Sequence, residues 1–484
     1  MRLFLGLFFA AGLAFPNDDL APLVKQLTDA FAIVEENAAD PVNPEQAFYQ
    51  GAIPGALRKL DPHSVFFDPQ QFEQLKQLQT STQKGFGSVV SILPGRIIVL
   101  QTLPGTPSAK SGIAPGDEIL GINGYRVDRL AIEQLIALLT QSRQQQAHLD
   151  VRRPGNARIM QFVLTPEAMQ APSVERAFFV GAGTGYLRVS SFDQNTGQQI
   201  RESIEKLGGS NLAGLILDLR GNPGGLLPTA LETASLFLEP GAALLTVRGR
   251  SVEQREEKVP QDAKPYSFPL AVLINGRSAS ASEIVAGALQ DHDRAHVLGE
   301  PSFGKGLVES VYPLSDGAGV ALTTALYYTP SGRSIQKPLD ATQFAISLKP
   351  QDDSYRTTMG RTVTGGGGII PDAIVYPAPM TRLRAVLDAS GSFTNFATDY
   401  TQEHKIDEDF EVTPALLDEF QLYLSQRNIR PGIPEWSAER DFIVNRLKTE
   451  IFNQALGVAK GDEVEAQRDP VILRAIEMLS RPVE

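Results

Sequence analysis

The sequence predicts a multidomain chain of the mixed α/β (α+β) class: an α/β core, a small β-rich domain preceding it or inserted into it, and helical regions at both ends. Three observations carry that expectation. At 484 residues the chain has room for several domains, since single domains usually run to ~100–200 residues. Between 84 and 167, short β-like runs alternate with glycine and proline turns, whereas from 170 to 376 strand, loop and helix patterns succeed one another. On either side of these stretches, apolar residues recur at helical spacing.

The first residues, 1–14, read as a signal peptide. Arg2 supplies a positive start, an apolar stretch runs from Leu3 to about Phe15, and Gly12-Leu13-Ala14 offers small residues at a cleavage site. That stretch falls short of the ~20 residues needed to span a bilayer. The mature chain is therefore expected in the periplasm or secreted, with no stable membrane span. Residues 15–83 should be helical: Leu20, Leu23, Leu27 and Phe31 share one face, a second helix covers 44–60, and Asp68-Pro69 opens a third after a turn at 60–64. In the small domain, 84–167, strands are expected at 88–93, 97–100, 118–122, 147–152 and 160–164, with one helix at about 130–141.

The core, 168–376, contains two buried strands at 214–219 and 269–275. Each runs into a helix, at 228–238 and 281–290, and a hairpin follows at 308–313 and 319–328. Residues 377–484 are again helical and polar. Amphipathic segments at 380–389 and 415–427 could cap the core, form a homo-oligomer interface or bind an adaptor.

Composition narrows the chemistry. Apolar residues make up 42% and charged residues 21%, the balance of an ordinary folded protein rather than a disordered chain or membrane bundle. A net charge of -12 leaves no broad basic surface for nucleic acid phosphates. The absence of cysteine removes disulfides, thiolate catalysis, cysteine-ligated metals and a lipobox-type anchor. Of five histidines, only His292 and His296 stand four apart. They lack the glutamate of H-E-x-x-H and read as solvated residues at a charged helix end, so neither metal nor cofactor is expected.

The informative segment runs from 270 to 306. An apolar strand ends at Asn275-Gly276 and turns through Ser278-Ala279-Ser280-Ala281-Ser282 into a helix. A serine at such a turn is presented at the sheet edge, and the free N–H groups of the helix start can stabilise an oxyanion. The same residues also spell a capping box, Ser280 to Glu283, which would make the serine a helix cap. Lys305 lies between two glycines. It is either a solvated loop residue or, if desolvated, an amine able to take a proton from a serine. Asp218 to Gly225, D-L-R-G-N-P-G-G, is a strand-to-helix turn whose N–H groups can converge on an anion or simply turn the chain.

Taken together, D-L-R-G-N-P-G-G, S-A-S-A-S-E-I, G-K-G (Gly304 to Gly306), the T-P-S-G-R-S-I-Q run from Thr329, the glycine-rich approach to Ile370-Pro371-Asp372 and Leu60-Asp61-Pro62-His63-Ser64 resemble the carboxyl-terminal processing peptidases, or tail-specific proteases. The resemblance implies an exported serine endopeptidase with Ser280 as nucleophile and Lys305 as general base. It also implies oxyanion donors on Ala281 and on Gly224 or Gly225, and leaves Ser282 to do more of the capping. The family usually has glutamine four residues after the lysine; here Glu309 stands there. A carboxylate beside Lys305 would make it a poorer base, which keeps a second reading open: a binding adaptor with a weak or silent protease fold.

Gly85-Phe86-Gly87, followed by the G-I-x-x-G-D-x-I-x-x-I-N run from Gly112 to Asn123, looks like the carboxylate-binding loop and core hairpin of a PDZ domain. A substrate's C-terminal residues would add as a strand beside Val89, with the carboxylate on loop N–H groups. The partners implied are unfolded or C-terminally tagged proteins selected by their free tails.

Overall fold

The computed structural model describes residues 20–481 apart from 80–81, 94, 144, 157, 171, 182, 251 and 338–353. The leader expected at 1–14 lies outside the described residues. Among the described residues, no helix is long and apolar enough to cross a membrane.

The core is a six-stranded sheet in the order Val174–Phe179, Thr184–Val189, Gly214–Asp218, Leu270–Ile274, His296–Gly299 and Ala373–Ile374. The first pair is antiparallel and every later pair is parallel. Gly214–Asp218 and Leu270–Ile274 are buried at every position, which is why they read as unbroken apolar runs. Helices Thr196–Lys206, Leu227–Ser235 and Ala281–Asp291 cover one face through Ile200, Ile204, Ala230, Ala234, Val285 and Leu289. Helix Pro470–Leu479 covers the other, setting Val471, Ile472, Ala475 and Leu479 against Ile216, Ala271, Leu273 and Leu298. Part of the C-terminal region thus caps the core.

A second sheet is built around Gly319–Tyr328. This long strand pairs with Leu307–Pro313 as the expected hairpin and also takes Ala243–Arg248 and Val65–Phe67 as antiparallel partners. Val65–Phe67 corrects the all-helical expectation for the N-terminal region. The 44–60 helix also proves irregular, with a π-helical turn at Ala47–Ala52 between two short α segments. A third difference concerns the histidines. The helix ends at Asp291, so His292 caps it while His296 is buried in the next strand; the two do not share a helix face.

The small domain is a six-stranded sheet, Ser88–Leu93, Arg96–Thr102, Glu118–Ile122, Ala147–Arg152 and Met160–Leu164 in order, with the short Tyr125–Arg126 paired to Glu118–Ile122 and helix Ile132–Ser142 over its core. Thr82–Gly85 pairs with Glu167–Gln170 and brings its entry and exit together. Helices Arg382–Ala389, Ser392–Glu403, Pro414–Gln426 and Ile433–Ala455 form a separate core around Phe396, Phe420 and Leu447. This unit abuts the small domain through an Arg96–Asn395 hydrogen bond.

The turn before Val65–Phe67 is held by one carboxylate. Asp61 accepts from the N–H groups of His63 and Ser64, from Ser64 Oγ at 2.6 Å and from Thr323 Oγ1 at 3.0 Å. Burial pushes this carboxyl up, but those four bonds outweigh it and hold it below its ordinary value. Its contribution is therefore present above the ordinary carboxyl value and is lost as pH falls through the lower folded one. Asp61→Ala is expected to cost about 1–3 kcal/mol for the donors left unpaired. It should also speed amide exchange in 63–67; unchanged exchange there would count against this anchor.

Candidate active site

The site is assembled where loops leave the C-terminal ends of two adjacent parallel strands, the usual place for ligands in an open α/β sheet. After Gly214–Asp218 the chain turns through 219–226, and after Leu270–Ile274 it turns through 275–280. The two turns are laced together by side chains. Ser278 Oγ donates to Leu219 O (2.8 Å), Ser282 Oγ to Asn222 O (3.0 Å), and Ala279 N–H to Asn222 O (3.1 Å). Asn222, fully buried, donates from Nδ2 to Val189 O and accepts Gly224 N–H on Oδ1 at 2.8 Å.

These bonds assign different tasks to the three serines. Ser278 and Ser282 are buried and tie the turn to its neighbour. Ser280 is half-buried, and its hydroxyl has no hydrogen-bond partner among the described residues. Its backbone sits at φ 52°, ψ -113°, a region that costs a non-glycine residue about 1–3 kcal/mol. The capping box is realised only in its second half: Glu283 Oε2 accepts Ser280 N–H at 2.8 Å, while Ser280 Oγ caps nothing. Ser282 does not cap either, contrary to expectation: it lies inside the helix, and its hydroxyl donates to Asn222 O instead.

Glu283 does more than cap. It is fully buried, and its two oxygens also accept Ser302 Oγ (2.5 Å), Gly304 N–H (2.7 Å) and Lys305 N–H (2.9 Å). Ser280 and Lys305 therefore hang by their backbone N–H groups from the same oxygen. Burial pushes the Glu283 carboxyl above its ordinary value, against the pull of these four bonds. Tyr327, buried and with its phenol raised far above its usual range by burial and then by Glu283, sets its neutral hydroxyl between the carbonyls of Ser280 (3.2 Å) and Lys305. Behind them, Gln336 accepts Gly306 N–H at 2.9 Å and Ser302 Oγ accepts Ile369 N–H at 2.7 Å. The T-P-S-G-R-S-I-Q and glycine-rich segments thus serve as props for the lysine loop.

The Lys305 amine bonds Glu309 Oε2 at 3.0 Å, both side chains being about a quarter exposed (23% and 28%). Thr323, which Asp61 binds, lies opposite Glu309 in the hairpin. His63 faces the same pair: burial and then the Lys305 charge push its imidazole below its ordinary value, against Glu309 and Asp61.

Of the two candidate oxyanion glycines, Gly224 donates its N–H to Asn222 Oδ1. The N–H groups of Gly225 and Ala281 have no acceptor among the described residues. Gly224 remains indispensable for space: at φ +102°, a Cβ there would lie 2.9 Å from Ser280 Cβ and 2.8 Å from Ala279 O. Ser280, Ala281, Gly225, Glu309 and Tyr327 line a cleft of about 800 Å³, and Lys305 lies outside its lining.

In the small domain, Gly85 closes the Thr82–Gly85 strand and Phe86 packs on the domain core. Gly87, at φ +77°, leaves no room for a side chain beside Thr106. Val89 lies on Ser88–Leu93, an edge strand with no second partner among the described residues.

Comparison with known proteins agrees with this architecture. A family model for peptidase family S41 matches residues 183–343, and one for the PDZ domain matches 75–152. The chain is 35% identical to a carboxy-terminal-processing protease of Bartonella bacilliformis, covering 66% of this chain and 75% of that protein. It is 32% identical to the Synechocystis carboxyl-terminal-processing protease, over 68% and 80% respectively. Identity to the chloroplastic carboxyl-terminal-processing peptidase 2 of Arabidopsis thaliana is 34%, over 62% of this chain, and the chain spans 60% of that relative's length. The chain belongs to the carboxyl-terminal processing family of serine proteases and carries the PDZ domain found by the second model.

Glu283→Gln would turn an amide NH₂ toward donors that need an acceptor. The expected cost is about 1–3 kcal/mol for each donor left unpaired. Amide exchange at Ser280, Gly304 and Lys305 should also speed up, and unchanged exchange there in a folded variant would deny Glu283 its anchoring role.

Proposed function

We propose that the protein is an exported endopeptidase of Ser–Lys type that cleaves unfolded or tail-marked polypeptides selected by their free C-termini. The observation that carries the reading is the shared Glu283 oxygen, which ties the backbone N–H groups of Ser280 and Lys305 together. In this mechanism Ser280 Oγ attacks the scissile carbonyl and Lys305 takes the hydroxyl proton. The N–H groups of Gly225 and Ala281 receive the negative oxygen. Lys305 then returns the proton to the leaving amine, and water resolves the acyl-enzyme. Tail selection would use the open edge of Ser88–Leu93, with the terminal carboxylate on the Phe86–Gly87 loop. Support for export is the apolar stretch at the start of the sequence.

The Lys305 amine donates to Glu309 Oε2 at 3.0 Å, so that bond must open before the amine can turn to Ser280. The same bond favours a second reading, a tail-binding adaptor whose protease site is held silent. Purified protein and its Ser280→Ala and Lys305→Ala variants should be offered an unfolded substrate with an apolar tail, alongside a C-terminally amidated copy. Cleavage is expected from the parent only, weaker on the amidated copy, and turnover surviving in Lys305→Ala would remove that residue from the mechanism. Glu309→Gln should raise kcat by about tenfold if the ion pair is the brake. Carboxylate-dependent binding without cleavage, even in that variant, would favour the adaptor.

A further inference from the structure

The cleft beside Ser280 is apolar along most of its wall, where Phe67, Phe192, Leu226, Ile284, Leu307 and Val308 line it. Three carboxylates interrupt that wall: Glu175, Asp193 and Glu309. Glu309 is engaged by Lys305, and Glu175 lies 3.5 Å from Arg188. Asp193 has no cation beside it among the described residues. It is only 5% exposed. Its Oδ1 accepts Asn195 N–H at 2.7 Å, at the start of helix Thr196–Lys206, whereas its buried Oδ2 has no hydrogen-bond partner among the described residues.

Its position is fixed by the neighbouring residue. Phe192 donates its N–H to Gly224 O (3.0 Å) and accepts Leu226 N–H (2.8 Å), a bridge that leaves Gly225 N–H unused. Asp193 thus follows directly on the segment that holds the proposed oxyanion glycine. A desolvated carboxylate oxygen without a donor is unfavourable, and a cation carried into the cleft by a ligand relieves it with a charge-assisted bond.

We infer that Asp193 is a specificity-determining residue, receiving a lysine or arginine side chain of the substrate polypeptide at a position flanking the scissile bond. The apolar wall takes the aliphatic stem of that side chain and its apolar neighbours. This rests on the endopeptidase reading for what happens next to the bound chain, but the recognition itself needs no chemistry.

The test uses full-length Ser280→Ala protein, which binds without turnover, and a panel of C-terminally amidated peptides that bypass tail recognition. The panel varies one residue at a time on each side of the cleavage site among lysine, arginine, norleucine and glutamate, with binding read by fluorescence anisotropy. Asp193→Asn is the informative change, because the amide oxygen can still accept the Asn195 N–H while the charge is removed. Lysine and arginine peptides should bind best at one position and lose about tenfold or more in affinity in Asp193→Asn, as expected for a hydrogen bond to a charged group. Norleucine peptides should be unaffected, at an unchanged melting temperature. Equal affinities across the panel, a uniform loss in the variant, or no binding to any member would each overturn the assignment. Charge-selective binding with no cleavage by the parent enzyme would retain it and reject the endopeptidase reading. Cleavage indifferent to charge would do the reverse.

Discussion

The buried carboxylate of Glu283 is the constraint on which the site depends. It belongs to the first turn of the helix that follows Ser280, yet three of its four donors come from the loop at 302–305. A carboxyl group in so dry a place is tolerable only when its oxygens are met by donors. Four donors converge there, and in satisfying it they fix, together with the Phe303 N–H to Ser278 O bond (3.0 Å), the distance between the two loops. Tyr327 adds a second tie from the hairpin side, reaching the carbonyls of the same two residues. A positive φ at Ser280 can persist because these bonds over-determine it.

Around that anchor, the fold holds the amine of Lys305, the proposed base, and leaves the hydroxyl of Ser280 free of partners among the described residues. Ser280 Oγ has no partner among the described residues, while the Lys305 amine is bound to Glu309 and stands back from the cleft. Such an arrangement separates the assembly of the site from its activation. The N-terminal turn at 61–64 reaches the same hairpin through Thr323, and His63 is kept neutral-leaning by burial and by Lys305. The environment of the lysine is therefore built from the N-terminal turn at 61–64 as well as from the 270–306 segment.

Much of this was legible in the sequence, for reasons that lie in periodicity. Buried parallel strands such as Leu270–Ile274 read as apolar runs, and the strands of the small domain fell close to their expected bounds because alternation and glycine turns mark them. Ser280, Lys305, Gly225, Ala281 and Glu309 were all named from motifs, and they gather around one cleft or its rim. What escaped depends on partners distant in sequence. Val65–Phe67 becomes a strand only because Gly319–Tyr328 lies beside it. Glu283 looked like half a capping box, Asn222 like a turn residue, and the serines on either side of Ser280 like spare caps. Each takes its role from a hydrogen bond across 19 to 60 residues of chain, which no local pattern records. Asp193 gave no signal at all, since an aspartate before a helix is ordinarily a cap.

The helix Pro470–Leu479 that closes the second face of the central sheet lies among the last residues described. A chain made from its N-terminus forms its units in that order. Ile216, Ala271, Leu273 and Leu298 therefore stay bare until more than 170 further residues have been synthesised. A ribosome-bound nascent chain carries both proposed reacting residues and yet has no finished sheet to hold them. Assembly of the proposed site is thereby tied to the docking of helix Pro470–Leu479, which lies far along the chain from both Ser280 and Lys305.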